Sequence, residues 1–249
     1  MATNKREARL QQLALTRFAV RHERQIRRAI AQAMAKVANN LGDTLIFETV
    51  EAEHSAAVDK LLKNLWNESS ELMYGLLFAQ EAKRFSAQLL PTVTANAIAA
   101  DYIRQFGLER VTQITRTTID DIKRVVISGI ADGMTEKEIA AQILALAPTK
   151  SASRAQTISR TETHASANFA AQSAVESTGI QMRKQWVTAI DDRTRDGIDS
   201  EFDHVAVDGQ TVSMDQPFDV NGEQLMYPGD PSGSPGNVIN CRCAVVYIV

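Results

Sequence analysis

Cysteine and long apolar runs are what this sequence has least of. Its 249 residues include two cysteines, Cys241 and Cys243, and a bridge across one intervening residue is strained, so a disulfide framework is not expected. Charged residues interrupt every apolar stretch before it reaches the roughly 18 residues that a membrane span requires. The N-terminal segment also lacks the continuous apolar core of a secretion signal. We therefore expect a protein of a reducing compartment, without a membrane span.

The sequence also lacks the motifs of common catalytic sites. It has no Gly-rich phosphate loop, no H-E-x-x-H and no G-x-S-x-G. Aromatic residues make up 6% of the chain and do not interleave with the basic positions, so no platform for stacking nucleic-acid bases is predicted. These absences favour a structural or interaction protein over an enzyme.

Proline is scarce in the first part of the chain and dense near its end. Pro91 is the only proline before residue 148, whereas four prolines lie between residues 217 and 235, in a glycine-rich stretch. Abundant Ala, Leu, Gln, Arg and Glu favour helix, and dense Pro and Gly favour loops and short strands. We predict an α+β fold, with a mainly helical N-terminal region at residues 1–95. A compact α+β domain follows at residues 96–249, with helices to about residue 178 and strands and loops from residue 180.

Local signals predict where several helices begin and end. Gly107 follows apolar positions at helical spacing and predicts a helix end. Thr135 and Glu138 have the spacing of a capping box, which predicts a helix start. Pro148 predicts a break, after which another helix is expected from about Arg154 to Glu176.

Positive charge is concentrated near the N-terminus. Residues 1–40 hold nine Lys/Arg against Glu7 and Glu23, a local charge of +7, so the net charge of −3 leaves −10 for the remainder. Four arginines recur at helical steps on one face: Arg17, Arg21, Arg24 and Arg28. This basic stripe is either a solvated face or a docking face toward an acidic protein or DNA.

A row of polar residues lies on the helix predicted near residues 154–176. Arg160, His164, Asn168 and Gln172 follow one another at four-residue steps and share a face, while Glu162 projects away. Arg160, Glu162 and His164 suit acid–base chemistry, in a metal-dependent hydrolase, nuclease or transferase. Alternatively, the row hydrogen-bonds the carbonyls of a Gly/Pro-rich loop. Nothing else in the chain completes a catalytic set, which favours the structural interpretation.

Acidic residues crowd the segment that follows. They are Asp191, Asp192, Asp196, Asp199, Asp203 and Asp208. Their register does not match the alternating oxygen ligands of an EF-hand loop, although the enzyme alternative would use this segment to hold a metal. Asp208-Gly209 predicts a turn between two strands.

Three side chains near the end of the chain are competent to bind zinc. They are His204, Cys241 and Cys243, and an aspartate would be available as a fourth ligand. C-x-C lacks the usual two-residue gap, the chain has only three soft ligands, and strand alternation would place both thiols on one face, which together favour buried free thiols. The alternatives are a zinc clip and buried free thiols, and we expect no other cofactor.

An ordered series of motifs in the second half of the chain resembles the head-morphogenesis domain of phage Mu F-like and SPP1 gp7-like minor head proteins, over roughly residues 95–249. The series comprises Arg160, Glu162, Asn168, Trp186, Arg195, His204, Asp208, Pro228, Asp230, Asn240, Cys241, Arg242 and Cys243. The resemblance assigns these residues structural roles. In the family the histidine closely follows the arginine pair, whereas eight residues separate Arg195 from His204 here. An inserted loop is therefore predicted.

The resemblance also implies a function and a place in the cell. The expected protein is a minor head protein inside the phage head, present in the host cytoplasm during assembly. Its expected partner is the portal protein, with major capsid or scaffold protein and packaged DNA as further candidates. It would act in head morphogenesis, DNA packaging or genome delivery, and not as an enzyme. A metal-dependent hydrolase or nuclease and a DNA-condensing protein are the alternatives.

Overall fold

The computed structural model describes residues 2–78, 91–189, 191, 193–198 and 200–248, which contain six α-helices and five strands. The helices are α1 (Ala2–Asn39), α2 (Ile46–Phe78), α3 (Ala95–Tyr102), α4 (Leu108–Ala131), α5 (Glu136–Glu176) and α6 (Pro235–Val238). A π-helical turn, Ile103–Gly107, joins α3 to α4. The strands are β1 (Arg183–Val187), β2 (Thr211–Ser213), β3 (Phe218–Val220), β4 (Glu223–Leu225) and β5 (Ala244–Ile248). The predicted α+β class is confirmed.

The chain forms two compact units, each assembled from separate segments. The helical unit comprises Val20–Asn64 and Gln105–Ser159. The α+β unit comprises Met1–Ala19, Leu65–Arg104 and Arg160–Val249. Both units contain residues from each side of the predicted boundary between residues 95 and 96. That boundary stays a prediction.

Aliphatic side chains at helical spacing form the core of the helical unit. Ile26, Ile30, Met34 and Val37 of α1 are buried, because their spacing places them on one face of the helix. Aliphatic residues of the other helical segments join them, among them Val58, Leu62, Ile114 and Ile158, which line one small cavity with Ile26 and Ile30. Removing each such side chain from water contributes about 1.5–3 kcal/mol.

The predicted capping box is confirmed at the start of α5. The Thr135 backbone N–H donates to Glu138 Oε2 at 2.7 Å, and the Glu138 backbone N–H donates to Thr135 Oγ1 at 3.3 Å. These bonds satisfy backbone amides that the first helical turn leaves without partners. The hydrogen bonds from Thr135 also lower the pKa of Glu138.

Two predicted helix ends are wrong. Gly107 has φ −57° and ψ −47°, so the chain continues through the π-helical turn into α4. Glycine adopts right-handed and left-handed backbone equally well, and its presence alone does not end a helix. Pro148 lies inside α5, which runs unbroken from residue 136 to residue 176. Burial of Ile143 and Ala147 before the proline, and of Ala155 after it, offsets the cost of the missing hydrogen bond.

A three-stranded antiparallel sheet organises the α+β unit. Its order is β2-β1-β5, with Trp186 opposite Val245 and Lys184 opposite Tyr247, and β3 and β4 form a separate hairpin. Ala8 of α1 shares a buried cluster with Val187, Ala244 and Val246 of β1 and β5. The first turns of α1 therefore pack on this sheet.

Aromatic rings connect the helices of the α+β unit to its irregular loops. Trp66 of α2 contacts Tyr102 of α3 at a centroid distance of 5.5 Å, and Tyr102 contacts Phe169 of α5 at 5.3 Å. Phe169 in turn meets Tyr227 at 5.9 Å, and all three contacts are edge-to-face. Such pairs add about 0.5–1.5 kcal/mol each beyond the area they bury.

The helices of the described ranges are between 4 and 41 residues long. Within those ranges, none combines the length and the apolar character that crossing a membrane requires.

Candidate functional site

The C-terminal half of α5 is buried on all sides, although much of it is polar. Every residue from 161 to 170 is buried, and these ten positions include three threonine or serine hydroxyls besides Glu162, His164 and Asn168. A buried polar group without a partner costs free energy, so the partners of these side chains decide what the helix does.

Asn168 holds the loop that contains the P-G-D-P motif. Its Nδ2 donates to the Pro228 carbonyl at 2.9 Å and to the Cys243 carbonyl at 3.2 Å. Gly229 lies so close that a Cβ there would come within 3.3 Å of Ala165 Cα, and its φ of +80° also favours glycine. The loop therefore rests directly on the α5 backbone, and Asn168 fixes it there.

The neighbouring polar residues of α5 bind other elements of the same unit. Glu162 Oε2 accepts a hydrogen bond from Trp66 Nε1 at 3.2 Å, and Arg160 Nη1 donates to Asn240 Oδ1 at 3.2 Å. The Asn240 backbone N–H donates to Thr161 Oγ1 at 3.0 Å. Residue 240 has φ +60°, and these two bonds hold its left-handed backbone against α5.

Asp230 stabilises the P-G-D-P loop from within. One carboxylate oxygen accepts from the Met226 backbone N–H at 2.9 Å, and the other accepts from Ser232 through both its backbone N–H and its hydroxyl. Burial raises the pKa of the neighbouring Tyr227 well above its usual value. The carboxylate thus replaces the regular hydrogen bonds that this loop lacks.

Lys184 is a buried cation in β1. Its Nζ donates to the Met226 carbonyl at 2.7 Å and to Gln172 Oε1 at 3.2 Å, and it lies 5.2 Å from the centroid of the Phe218 ring. Burial lowers its pKa to about 8. Lys184 was not among the predicted site residues, because a lysine in an alternating strand is usually solvated.

The acidic segment binds backbone and cationic groups with its carboxylates. Asp208 Oδ1 accepts from the Thr188 N–H at 3.0 Å, and Asp208 Oδ2 accepts from Lys5 Nζ at 2.9 Å. Asp196 and Asp203 accept from backbone amides two and three residues further on, and Asp191 pairs with Arg242. Asp192 and Asp199 lie outside the described residues.

Asp208-Gly209 forms the predicted turn but does not join two strands. Gly209 has φ +85°, and β2 begins at Thr211. The residues just before the turn form no regular strand: Asp203 accepts there from the Ala206 N–H, and Asp208 accepts from the Thr188 N–H just after β1. The turn lies beside β1 through the bond from the Gly209 N–H to the Trp186 carbonyl, at 2.9 Å.

The residues between Arg195 and His204 form a loop whose two ends lie next to each other. The backbone N–H groups of His204 and Val205 both donate to the Arg195 carbonyl, at 2.9 and 3.2 Å. Asp196 and Asp203 form an antiparallel bridge at the neck of the loop. The excursion is therefore closed, and His204 lies next to Arg195 in space.

His204, Cys241 and Cys243 come together in the interior of the α+β unit. His204 Nδ1 is 3.7 Å from Cys241 Sγ and 3.6 Å from Cys243 Sγ, and each residue is at most 3% exposed. Both cysteines are free. The hydrogen bond with Cys243 lowers the pKa of Cys241, and the same bond with burial raises the pKa of Cys243. The Trp186 ring meets the imidazole edge-on, at 5.8 Å.

Residues outside the predicted set orient this cluster. His204 Nε2 is 3.3 Å from Asn237 Oδ1, which also accepts from Asn221 Nδ2 at 2.8 Å. Asn237 Nδ2 donates to the Val220 carbonyl at 3.2 Å, which fixes the orientation of the amide. Arg195, which belongs to the predicted set, donates to the Ile239 carbonyl. Asn237 carries no signal in sequence, because asparagine in a Gly/Pro-rich loop is common.

His164 is buried with neither ring nitrogen hydrogen-bonded to any described residue. Burial lowers its pKa to about 3, and the nearby Arg242 and Arg160 add to this effect. The imidazole is therefore neutral in the folded protein.

The four arginines of the basic stripe lie on α1, apart from the motif residues in the sequence. Arg17, Arg21, Arg24 and Arg28 are exposed on α1. The thirteen motif residues, by contrast, all lie in the α+β unit, and most of them are buried.

The comparison with known families agrees with the motif series that predicted a phage head-morphogenesis domain. The sequence model of the family described as Phage Mu protein F like protein matches residues 120–246. This range lies within the predicted module and covers just over half of the chain. The protein belongs to this family, which is one of phage minor head proteins.

Two curated proteins are similar to the chain. Minor head protein GP7 of Bacillus phage SPP1 is 29% identical over 150 residues, covering 53% of this chain and 41% of that protein. NAD(+)--arginine ADP-ribosyltransferase EFV of Enterococcus faecalis (strain ATCC 700802 / V583) is 25% identical over 204 residues, covering 79% of this chain and 40% of the relative. The chain thus spans about two fifths of the length of these relatives. No solved structure matches it.

Proposed function

We propose that this protein is a structural component of the phage head interior, bound to the portal protein, and that it carries out no turnover. One observation supports this most strongly. Polar residues of the family motif bind other elements of their own unit: Asn168 binds the P-G-D-P loop, Arg160 binds Asn240, and Glu162 binds Trp66 of α2. Buried polar side chains that are bonded in this way specify a particular fold.

The name of the enterococcal relative raises the alternative of a transferase. A catalytic carboxylate or imidazole has to reach its substrate, yet Glu162 and His164 are each 1% exposed, and Trp66, which binds Glu162, is 0% exposed. Because Glu162 and His164 are enclosed by the protein, their burial supports a structural role. The activity in that name belongs to a protein more than twice as long as the segment that this chain matches.

Enzyme assays separate the two functions. Purified protein incubated with NAD⁺ and arginine-containing acceptors, and separately with DNA and Mg²⁺, is expected to give no product above a buffer blank. Glu162→Gln, which retains an acceptor for Trp66, serves as the matched variant. Turnover by the wild type that this variant abolishes would overturn the structural proposal.

The candidate docking face lies on α1. Arg17, Arg21, Arg24 and Arg28 are exposed, and large apolar side chains share their helix face: Leu10 is 58% exposed, Leu13 47% and Val20 62%. Arginine interleaved with exposed apolar residues is typical of protein interfaces, because the apolar groups gain by leaving water. A phosphate backbone offers these side chains no apolar partner.

We therefore assign this face to an acidic protein surface, that of the portal, ahead of DNA. Charge reversal of all four arginines to Glu is expected to reduce co-purification with the portal protein of the same phage at least tenfold, and to reduce incorporation into heads. The matched control reverses four exposed cations elsewhere: Lys60, Arg116, Lys137 and Lys150. Equal incorporation of both variants would rule out the assignment.

Salt dependence and a second substitution set distinguish the portal from DNA and from other head proteins. Leu10→Ser with Leu13→Ser is expected to weaken portal binding while leaving residual DNA binding unchanged. If the protein instead condenses DNA, its affinity for DNA should fall steeply as the salt concentration rises. Substitution of the two leucines should then leave that affinity unchanged. Co-purification with the major capsid or scaffold protein, and not with the portal protein, would assign the face to that partner instead.

A further inference from the structure

We infer that His204, Cys241 and Cys243 form a structural zinc site that ties the irregular loop after β1 to the C-terminal strand. The first argument is distance. Zinc lies about 2.3 Å from thiolate sulfur and about 2.0–2.1 Å from imidazole nitrogen, so tetrahedral angles place sulfur and nitrogen about 3.6 Å apart. The two observed Sγ to Nδ1 distances are 3.7 and 3.6 Å.

The tautomer of His204 supplies the second argument. Asn237 Nδ2 donates to the Val220 carbonyl, so Asn237 presents its oxygen to the histidine, and Nε2 is the ring nitrogen that donates to it. Nδ1 is then the ring nitrogen that faces both sulfurs. A neutral imidazole whose second nitrogen donates to a fixed oxygen is the arrangement found at metal-ligating histidines.

The nearly equal distances of the two sulfurs from Nδ1 are the third argument. The two thiols also hydrogen-bond each other, so the three atoms form one closed group in which both sulfurs face the same ring nitrogen. A common ion between the three atoms would lie equally close to each sulfur. All three ligand atoms lie within 4.8 Å of one another, and among the described residues this is the one group of three or more potential ligands.

The chemistry of the ligands selects the metal. Two thiolates with one imidazole in tetrahedral spacing suit zinc and exclude calcium and magnesium, which require oxygen ligands. Three protein ligands leave a fourth corner for water or another small donor. The site lies where the unit has little regular structure, between a loop closed on Arg195 and the segment before β5. Zinc there would supply stability that a larger apolar core supplies elsewhere.

The test begins with the wild-type chain, purified under reducing conditions without added metal or chelator. Elemental analysis by mass spectrometry is expected to give about one zinc per chain. Replacement by Co²⁺ should produce the thiolate charge-transfer absorption and the visible bands of a tetrahedral site. A strong chelator should lower the melting temperature, and added Zn²⁺ should restore it.

Variants then locate the ion. Cys241→Ser, Cys243→Ser and His204→Gln should each lose most of the zinc, and each serine variant should weaken the charge-transfer band of any remaining Co²⁺. The matched control is His164→Gln, which removes another buried histidine of the same unit and should keep full zinc content. If the serine variants do not fold, the wild-type stoichiometry and Co²⁺ spectrum decide. The assignment would be overturned if the wild type contained no zinc and its melting temperature did not respond to chelator or Zn²⁺. Full zinc content in all three variants would overturn it as well.

Discussion

The two compact units bury different kinds of side chain. In the helical unit, the interior is mainly aliphatic, and Ile26, Ile30 and Leu62 are each 4% exposed or less. In the α+β unit, the fully buried set includes Asn168 and Lys184, and specific hydrogen bonds hold irregular loops to α5. An aliphatic core tolerates any arrangement that fills its volume, whereas a polar core requires particular partners. The aliphatic core is therefore encoded by the periodicity of the sequence, and the polar core by individual residues.

The largest effect is expected from a cavity in the helical unit. Leu62→Ala should lower the free energy of unfolding by about 3–5 kcal/mol, because the lost contacts add to the transfer free energy of the removed methylenes. Leu62 is 1% exposed and already borders a small cavity. We therefore expect the neighbouring side chains not to fill the space that the substitution opens. Urea denaturation followed by circular dichroism measures the change.

Leu62→Met is the matched control, since it keeps the volume and should cost less than about 1.5 kcal/mol. Equal losses in both variants would show that the helical unit also depends on shape-specific packing, and the contrast between the units would weaken.

The second prediction tests the polar unit with volume held constant. Asn168→Leu should destabilise the protein by about 2–4 kcal/mol, because the carbonyls of Pro228 and Cys243 lose their donor while buried. Hydrogen exchange should show the greatest loss of protection in the loop around residues 226–232. Denaturation and exchange can be measured on the same sample.

The helical unit offers a matched substitution for this experiment. Thr118 is 1% exposed, and its hydroxyl donates to the Ile114 carbonyl one turn earlier. Thr118→Val should cost less than about 1 kcal/mol, because that carbonyl is also a backbone acceptor of the helix. A loss as large as that of Asn168→Leu would break the distinction between the two interiors.

This contrast explains what the sequence predicted well. Apolar spacing predicted the buried face of α1 through Ile26, Ile30, Met34 and Val37, and cap chemistry predicted the start of α5 at Thr135. Proline and glycine density predicted the α+β class. Pro148 and Gly107 misled, because local propensity contributes less than the burial of the flanking helical segments.

The candidate site was predictable only in part. The order of motifs identified the family and selected Asn168, His204 and both cysteines, but no local rule indicated that Asn237 would orient His204. Lys184 was missed for the same reason, since its partners Met226 and Gln172 are distant in sequence. The closed loop between Arg195 and His204 also required coordinates, because spacing alone does not show where an insertion returns.

The third prediction concerns pH. Burial lowers the pKa of His164 to about 3 from 6.5, so the unfolded chain binds a proton that the folded protein does not. Stability from this residue is therefore complete above pH 6.5 and is lost as pH falls toward the folded value. Between about pH 7 and about pH 5 the loss should be roughly 2 kcal/mol. His164→Gln should reduce this pH-dependent difference by that amount, whatever its effect at neutral pH.

His54 gives the corresponding measurement in the helical unit. Its pKa is lowered to about 4, first by burial and then by Arg154. His54→Gln should remove a similar share of the acid sensitivity over the same range, and the double variant should remove both. Acid sensitivity unchanged in all three variants would show that neither histidine is buried neutral.

The smallest effect is expected from the cap of α5. Thr135→Ala removes the acceptor for the Glu138 backbone N–H, and a lost N-cap costs about 1 kcal/mol. Thr135→Ser keeps the hydroxyl and should restore most of that stability, which urea denaturation resolves. The cap lies in the helical unit, where stability rests on many interchangeable contacts. Its loss should therefore lower stability without changing the cooperativity of unfolding, whereas Asn168→Leu should loosen one loop first. Fraying at α5 as severe as the loss at residues 226–232 would mean that the helical unit, too, depends on single polar contacts.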